Sequence, residues 1–317
     1  MTVASGQAGD TPERARTMGN VREIGGAGGW LGAARQTLAP ILPKRLRPGT
    51  AVVPVVRLNG VIGVSTPLRP GVTLAALTRS LDKAFAVRGA KAVAIAINSP
   101  GGAAAQSHLI FRRIRQLAEE KEIPVIAAVE DVAASGGYMI ACAADEIVCD
   151  PASIVGSIGV IGATFGFDKA IERLGIERRV YTAGENKSSL DPFQPEKPED
   201  VARIKAIQQE IHTMFIELVK TRRGDKLTTE QNLFTGEYWT ATTALGHGLI
   251  DRLGDLRSYL RERFGKEVAT PVIAPERGFL MRKLAGATGG GAPLPGTFAE
   301  DALSALEARA IWSRYGF

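Results

Sequence analysis

Ser135 stands in "VAASGGYMIACAADEIVCD", residues 132–150, between the apolar run "IPVIAAV" and an alanine-rich segment. Glycine and serine in such a place read first as a tight turn, since both supply unusual backbone angles and local hydrogen bonds. The same place suits a nucleophile at the start of a helix. A serine hydroxyl is a weak nucleophile at neutral pH and needs a base. His108 falls within an amphipathic helix, His212 beside the apolar stripe of a long helix, and His247 in a glycine-bounded turn, so each reads as a packing or surface residue. Lys187, in "YTAGENKSSLDPFQP", is the other candidate. A free lysine, with a pKa of about 10.4, is neutral in roughly one molecule per thousand at pH 7, so this role needs desolvation or nearby positive charge. Surface lysines are far commoner than catalytic ones, and the residues alone leave both readings open.

A second junction, "NSPGG" at 98–102, follows the apolar "VAIAI". By itself it is equally a proline-glycine turn. If adjacent strands carry the two junctions, Gly101 and Gly102 lie beside Ser135, and backbone N–H groups free of a neighbouring Cβ are what an oxyanion hole requires. The small residues around this centre, Ala103, Ala104, Ala133 and Ala134, predict an apolar pocket for modest side chains, where a charge would lose water without a partner.

The elements that must position these groups alternate. "LAALTRSLDKAFAV" reads as a helix, "KAVAIAI" as a buried strand, "QSHLIFRRIRQLAEEK" as a helix, "IPVIAAV" as a strand, "YMIACAA" as a helix and "EIVCD" as a strand. That is the pattern of a layered α/β domain with a largely parallel sheet and flanking helices. Pro54 argues for an edge or a bend in the first strand. Beyond lie a helix in "FDKAIERLG", a strand in "RRVYTA", and one long helix at 198–223, with Val201, Ile204, Ile207, Ile211, Phe215 and Leu218 spaced as a single buried stripe. Shorter pieces around "TTALGHGLI" and "LRSYLRERF" complete the body.

Three regions follow: a basic arm at 1–50, a main domain at 51–275, and a Gly/Pro-rich linker with a C-terminal helix at 276–317, which must dock on something or fray. The arm carries seven Arg/Lys against three Asp/Glu, leaving the body of a +6 chain near balance. No block of like charges points to nucleic acid. Cys142 and Cys149 lack the spacing of a zinc or redox pair and read as buried thiols, so no metal or cofactor is expected. No signal segment and no run of 18 apolar residues occurs, which predicts a cytoplasmic protein. The stretch 30–47, with Trp30, Leu31, Leu38, Ile41 and Leu42 beside Arg35, Lys44, Arg45 and Arg47, is the alternative, a peripheral contact with the anionic inner membrane surface.

The blocks "NSPGG", "VAASGGYMIACAADEIVCDPASIVGSIGVIG", "YTAGENKSSLDPF" and "LFTGEYWTATTALGHGLIDRLG" resemble, in order over about residues 51–260, the signal peptide peptidase A family of serine peptidases. The resemblance implies a crotonase/Clp-protease-like fold and a Ser/Lys dyad. By position, Ser135 resembles the nucleophile, Lys187 the general base, Ser157 the serine that hydrogen-bonds the lysine, and Gly101 and Gly102 the oxyanion loop, with Gly136 supplying a further N–H. It also implies a homo-oligomeric ring or bowl acting on signal-peptide remnants or other unstructured apolar peptides. Asp131-Val132 departs from the Gly-Ser pair common in that family, which bears on turn geometry. Two other readings use the same fold: a crotonase-type acyl-CoA hydratase or isomerase with Glu130 or Asp131 as base, and a non-catalytic assembly protein.

Overall fold

Strands β1 (Val55–Asn59), β2 (Val93–Ser99), β3 (Val125–Ala134) and β4 (Glu146–Cys149) pair in parallel in that order, with the short β7 (Arg252–Leu253) beyond β4. The computed structural model describes residues 49–63, 71–229, 231–274, 305–306 and 308–316. The basic stretch 30–47 and most of the linker lie outside them.

The sheet is parallel because each strand returns through a helix. Helix α1 (Leu74–Phe85) opens with Thr73 accepting the Ala76 N–H at 3.2 Å and buries Leu77, Leu81, Ala84 and Phe85, one face at helical spacing. Helix α2 (Ala104–Lys121) buries Ile110, Ile114, Leu117 and Ala118 on the same side and ends where Glu122 turns left-handed. Strand β2 from Val93 to Ile97 is buried residue after residue, as a strand covered on both faces must be. Pro54 lies just before β1, and among the described residues the outer side of this segment is met by isolated parallel bridges, Val52 to Ala269 and Val55 to Val272.

Strand β3 is longer than "IPVIAAV" suggests, and it changes partner along its length. Ile126–Val129 pair with β4, whereas Val132–Ala134 pair with β5 (Ile154–Gly156), which in turn holds β6 (Tyr238–Thr240) antiparallel. The change falls at Glu130 and Asp131, opposite a register shift between Ile97 and Ser99 of β2. Asn98 clasps the shift: its Nδ2 donates to Asp131 at 2.6 Å and its Oδ1 accepts the Val132 N–H at 3.3 Å. Asp131-Val132 therefore belongs to a strand that bends, not to a loop.

Helix α3 (Gly136–Ala141) follows β3 directly and is buried throughout. Arg222 caps its far end, donating to the Cys142 and Ala144 carbonyls at 2.9 Å each. Tyr138 within it donates to the Leu249 carbonyl at 2.7 Å. Cys142 and Cys149 are free and buried, and burial pushes the Cys142 thiol up to about 12.

Two expectations fail. No strand forms at 178–183, because "RRVYTA" is exposed and meets no neighbouring strand to complete a ladder. Helix α5 (Pro198–Arg223), which follows the short α4 (Asp168–Arg173), buries Phe215, Leu218 and Val219 but leaves Ile207 45% exposed. Only its second half lies on the core. The first half, through Asp200 and Arg203, holds the preceding turn instead.

Candidate active site

Ser135 is the hinge between β3 and α3, with φ 52° and ψ −122°. A non-glycine residue there is held in a sparsely populated conformation at a cost of about 1–3 kcal/mol, which the surroundings must impose. They do. Its N–H is tied to the Gly156 carbonyl at 2.8 Å, and its carbonyl accepts the Met139 N–H at 3.0 Å. The next two residues must be glycine: a Cβ on Gly136 would lie 2.2 Å from Ser107 Oγ, and one on Gly137 would lie 2.5 Å from the Ser99 carbonyl oxygen. The "SGG" sequence thus lets a helix start within contact of β2 and α2, leaving the Ser135 side chain half-buried at its mouth.

The "NSPGG" loop comes to the same point. Gly101 has φ 103°, and a Cβ there would meet the Ala134 carbonyl oxygen and Ser135 Cβ at 2.9 Å and the Gly136 nitrogen at 3.0 Å. Gly102, at φ 143°, bridges Ile62 through bonds made by its neighbours: Ile62 N–H to the Gly101 carbonyl, and Ala103 N–H to the Ile62 carbonyl. Its own N–H stays outside that bridge. Gly136 begins a helix, where first-turn N–H groups have no partner within the helix. The three glycines expected beside Ser135 are brought together.

Ser157 is brought there as well. It follows β5 as Ser135 follows β3, also at φ 52°, and its N–H bonds the Glu237 carbonyl at 2.6 Å. Both serines line one cleft of about 1210 Å³ with Gly102, Gly136, Ala103 and Ala104. Ala133 and Ala134 do not line it. They are inner β3 residues, fully buried, and support the wall from behind.

Lys187 is not in this cleft. It is exposed, on an arm at 159–197 that is largely exposed from Ile161 to Lys187. The arm is nonetheless structured. Phe165 stacks on Phe167, which meets Phe193 at a tilt, and Arg178 covers Phe193 at 4.9 Å and pairs with Asp191 at 2.9 Å. Arg203 of α5 donates to Asn186 Oδ1 at 3.2 Å and to Ser189 Oγ at 3.1 Å, on either side of Lys187.

Sequence reasoning missed three residues here. His212 lines the cleft, its Nε2 at 3.1 Å from the Ile158 carbonyl oxygen. Tyr238 and Tyr315 meet edge to face at 5.1 Å. The C-terminal piece docks on its own chain: Tyr315 packs with Val132 and Ala134, near Ile154 and Trp312, and its hydroxyl donates to Ser157 Oγ at 3.2 Å. Burial raises this phenol above its ordinary value, so it keeps its proton at neutral pH. The aromatic-rich "IWSRYGF" was the available signal for a docked segment. Glu130 and Asp131 lie elsewhere, Glu130 paired with Arg57 at 2.6 Å and Asp131 with Asn98, and neither lines the cleft. Among the described residues no cluster of His, Cys, Asp or Glu could hold a metal ion.

Residues 117–266 match the family model described as Peptidase family S49. That segment, just under half of the chain, belongs to peptidase family S49. It runs from the end of α2 through Ser135, Ser157 and Lys187 to α7 (Leu256–Phe264), which follows α6 (Ala241–Gly246) and β7. The chain is 36% identical over 214 residues to Serine protease SPPA, chloroplastic, of Arabidopsis thaliana, covering 66% of this chain and 31% of that protein. It is 54% identical over 285 residues to a Brucella abortus (strain 2308) protein named Na(+)/H(+) antiporter NhaA, covering 88% of this chain and 39% of that protein. The chain thus spans well under half the length of both relatives. No helix among the described residues is long and apolar enough to cross a membrane.

Proposed function

We propose that this chain is a serine endopeptidase that cuts unstructured apolar peptides, signal-peptide remnants among them, through a Ser135/Lys187 dyad completed between two copies of the chain. The observation that carries the reading is the strained Ser135 turn, built against Gly101 and Gly136. Strain at one serine, maintained by Gly101, Gly136 and Gly137, where a Cβ would collide, suits a group whose position matters more than its comfort.

Lys187 sits on a turn braced by Arg203, and the arm that bears it exposes Ile161 (67%), Phe165 (77%), Leu174 (73%), Ile176 (55%) and Tyr181 (89%). Apolar surface of this extent on a monomer marks an interaction site. A second copy is the occupant that also supplies what the cleft lacks, because each copy offers one lysine and needs one. A ring or bowl of such contacts satisfies every site.

In that assembly neutral Lys187 takes the proton of Ser135 while Oγ attacks the peptide carbonyl. The oxyanion is held by the Gly136 N–H and by that of Gly102, the Gly101 N–H being donated to Ser99 Oγ at 3.3 Å, and Ser157 orients the lysine. The ammonium returns the proton to the leaving amine, and a water deprotonated by the same lysine releases the acyl group, restoring Ser135. Ala103 and Ala104 make the entrance small and apolar. Docking of the basic N-terminal stretch on an anionic membrane places such an enzyme near its peptides.

His212 is the competing base, since it shares the cleft. Its Nε2 faces a carbonyl, which only accepts, so that nitrogen carries the proton and Nδ1 is the one left to act as a base. The test separates the two. Ser135→Ala and Lys187→Ala are each expected to be inactive on an unstructured casein-derived peptide, and a mixture of the two after dissociation and reassembly to regain activity. Wild-type activity in folded Lys187→Ala sinks the dyad, and no recovery on mixing sinks its division between copies.

A further inference from the structure

We propose that Tyr315 is a positioning residue of this site, fixing the Ser157 hydroxyl that in turn orients the base. The inference rests on the peptidase reading and adds to it a group from outside the S49 segment.

Ser157 Oγ has one proton and two lone pairs. Nothing in its own loop holds the hydroxyl: its backbone is fixed by Glu237, but the only side-chain bond to its Oγ among the described residues is the one from Tyr315 at 3.2 Å. That donor is itself held. The Tyr315 side chain is buried against Val132 and Ala134, in the outer half of β3 that leads into Ser135. Tyr238 packs on its ring edge to face and donates its own hydroxyl to the Arg314 carbonyl at 3.1 Å, pinning the turn Ser313–Tyr315 to β6. β6 in turn pairs with β5, the strand leading into Ser157. Tyr315 and Ser157 are therefore fixed to one piece of sheet from opposite ends.

The consequence is geometric. With one Ser157 lone pair taken by a buried phenol, the hydroxyl loses its free rotation, and its proton and second lone pair keep fixed directions toward the cleft both serines line. A lysine arriving from a neighbouring copy meets an oriented partner and not a rotor, and orientation of this kind acts on the chemical step. An alternative occupies the same contact: a tail that plugs the cleft, whose removal speeds turnover.

Tyr315→Phe keeps the ring and its packing and deletes only the hydroxyl. With a fluorogenic unstructured peptide, the proposal expects kcat to fall about tenfold with KM within twofold and the melting temperature little changed. A double-mutant cycle with Ser157→Ala isolates the route: if Tyr315 acts through Ser157, the double variant is no slower than Ser157→Ala alone. Independent, multiplying losses overturn the proposal, as does an unchanged or higher kcat in Tyr315→Phe, the latter identifying a plug. A fluorophosphonate probe on the intact chain, with Ser135→Ala as control, tells which idea has failed. Absence of Ser135 labelling in the wild type removes the peptidase reading and this inference with it, whereas normal labelling with an unaltered Tyr315→Phe removes the inference alone.

Discussion

Ser135 and Ser157 occupy equivalent places at the ends of two neighbouring parallel strands, each at φ 52°, and the Ser135 N–H reaches back to the Gly156 carbonyl at 2.8 Å. One ladder thus delivers both hydroxyls to the same edge, and both backbones are strained to do so.

Relief of that strain is measurable. Ser135→Gly places at φ 52° the residue that tolerates it, whereas Ser135→Ala keeps the penalty. Both lose acylation, and the glycine variant is expected to be more stable than the alanine one by about 1 kcal/mol, read as a higher melting temperature. An alanine variant equal or superior in stability counts against strain at this turn.

Gly101→Ala tests the loop. Gly89 and Gly101 both have positive φ, 72° and 103°, but a Cβ at Gly89 meets nothing within 4 Å whereas one at Gly101 strikes the Ser135 turn. Both substitutions should destabilise by about 1 kcal/mol or more. Only Gly101→Ala should cut the rate of Ser135 labelling, by about two orders of magnitude if its Cβ pushes the Gly136 N–H out of the oxyanion site. Equal labelling in the two variants contradicts the assignment.

The exposed arm predicts association. Leu174→Ser with Ile176→Ser removes apolar surface that touches no core, so the isolated fold should melt as before. Light scattering should report a smaller particle and activity should fall, recovering as protein concentration rises. An unchanged particle size removes this face from the assembly.

Acid stability turns on Asp251. Burial by itself raises this carboxyl, but bonds from Arg223 (2.9 and 3.1 Å) and Lys226 (2.7 Å) outweigh it and hold the group below its ordinary value. A depressed carboxylate contributes stability above its unfolded pKa of about 3.9, and that stability is lost as pH falls through the folded value. Denaturant midpoints should therefore drop below about pH 4, and Asp251→Asn should flatten that part of the curve while lowering stability at pH 7. A steep acid limb surviving in the variant assigns it to other carboxylates.

The layered sheet was legible because β2 and the first half of β3 are continuous apolar runs and α1 and α2 are amphipathic with short connections. The glycines around Ser135 were legible for a local reason, since close approach of backbones leaves no other residue type. Ala133 and Ala134 show the limit: proximity in sequence to Ser135 does not say which side of a strand faces the cleft. The stripe on α5 has helical spacing along its whole length, but periodicity identifies a face and not what covers it, so Ile207 emerged exposed. Tyr315 lies 158 residues from Ser157, and no local pattern encodes a contact of that range.

The bridges from Val52 to Ala269 and from Val55 to Val272 have a consequence during synthesis. The outer edge of the first strand waits for a segment made more than two hundred residues later, roughly ten to forty seconds at ordinary elongation rates. Until then a row of unpaired backbone N–H and C=O groups is open to any passing strand. A ribosome stalled before residue 269 should accordingly hold a nascent chain that recruits holdase chaperones, and one stalled well beyond residue 272 should not.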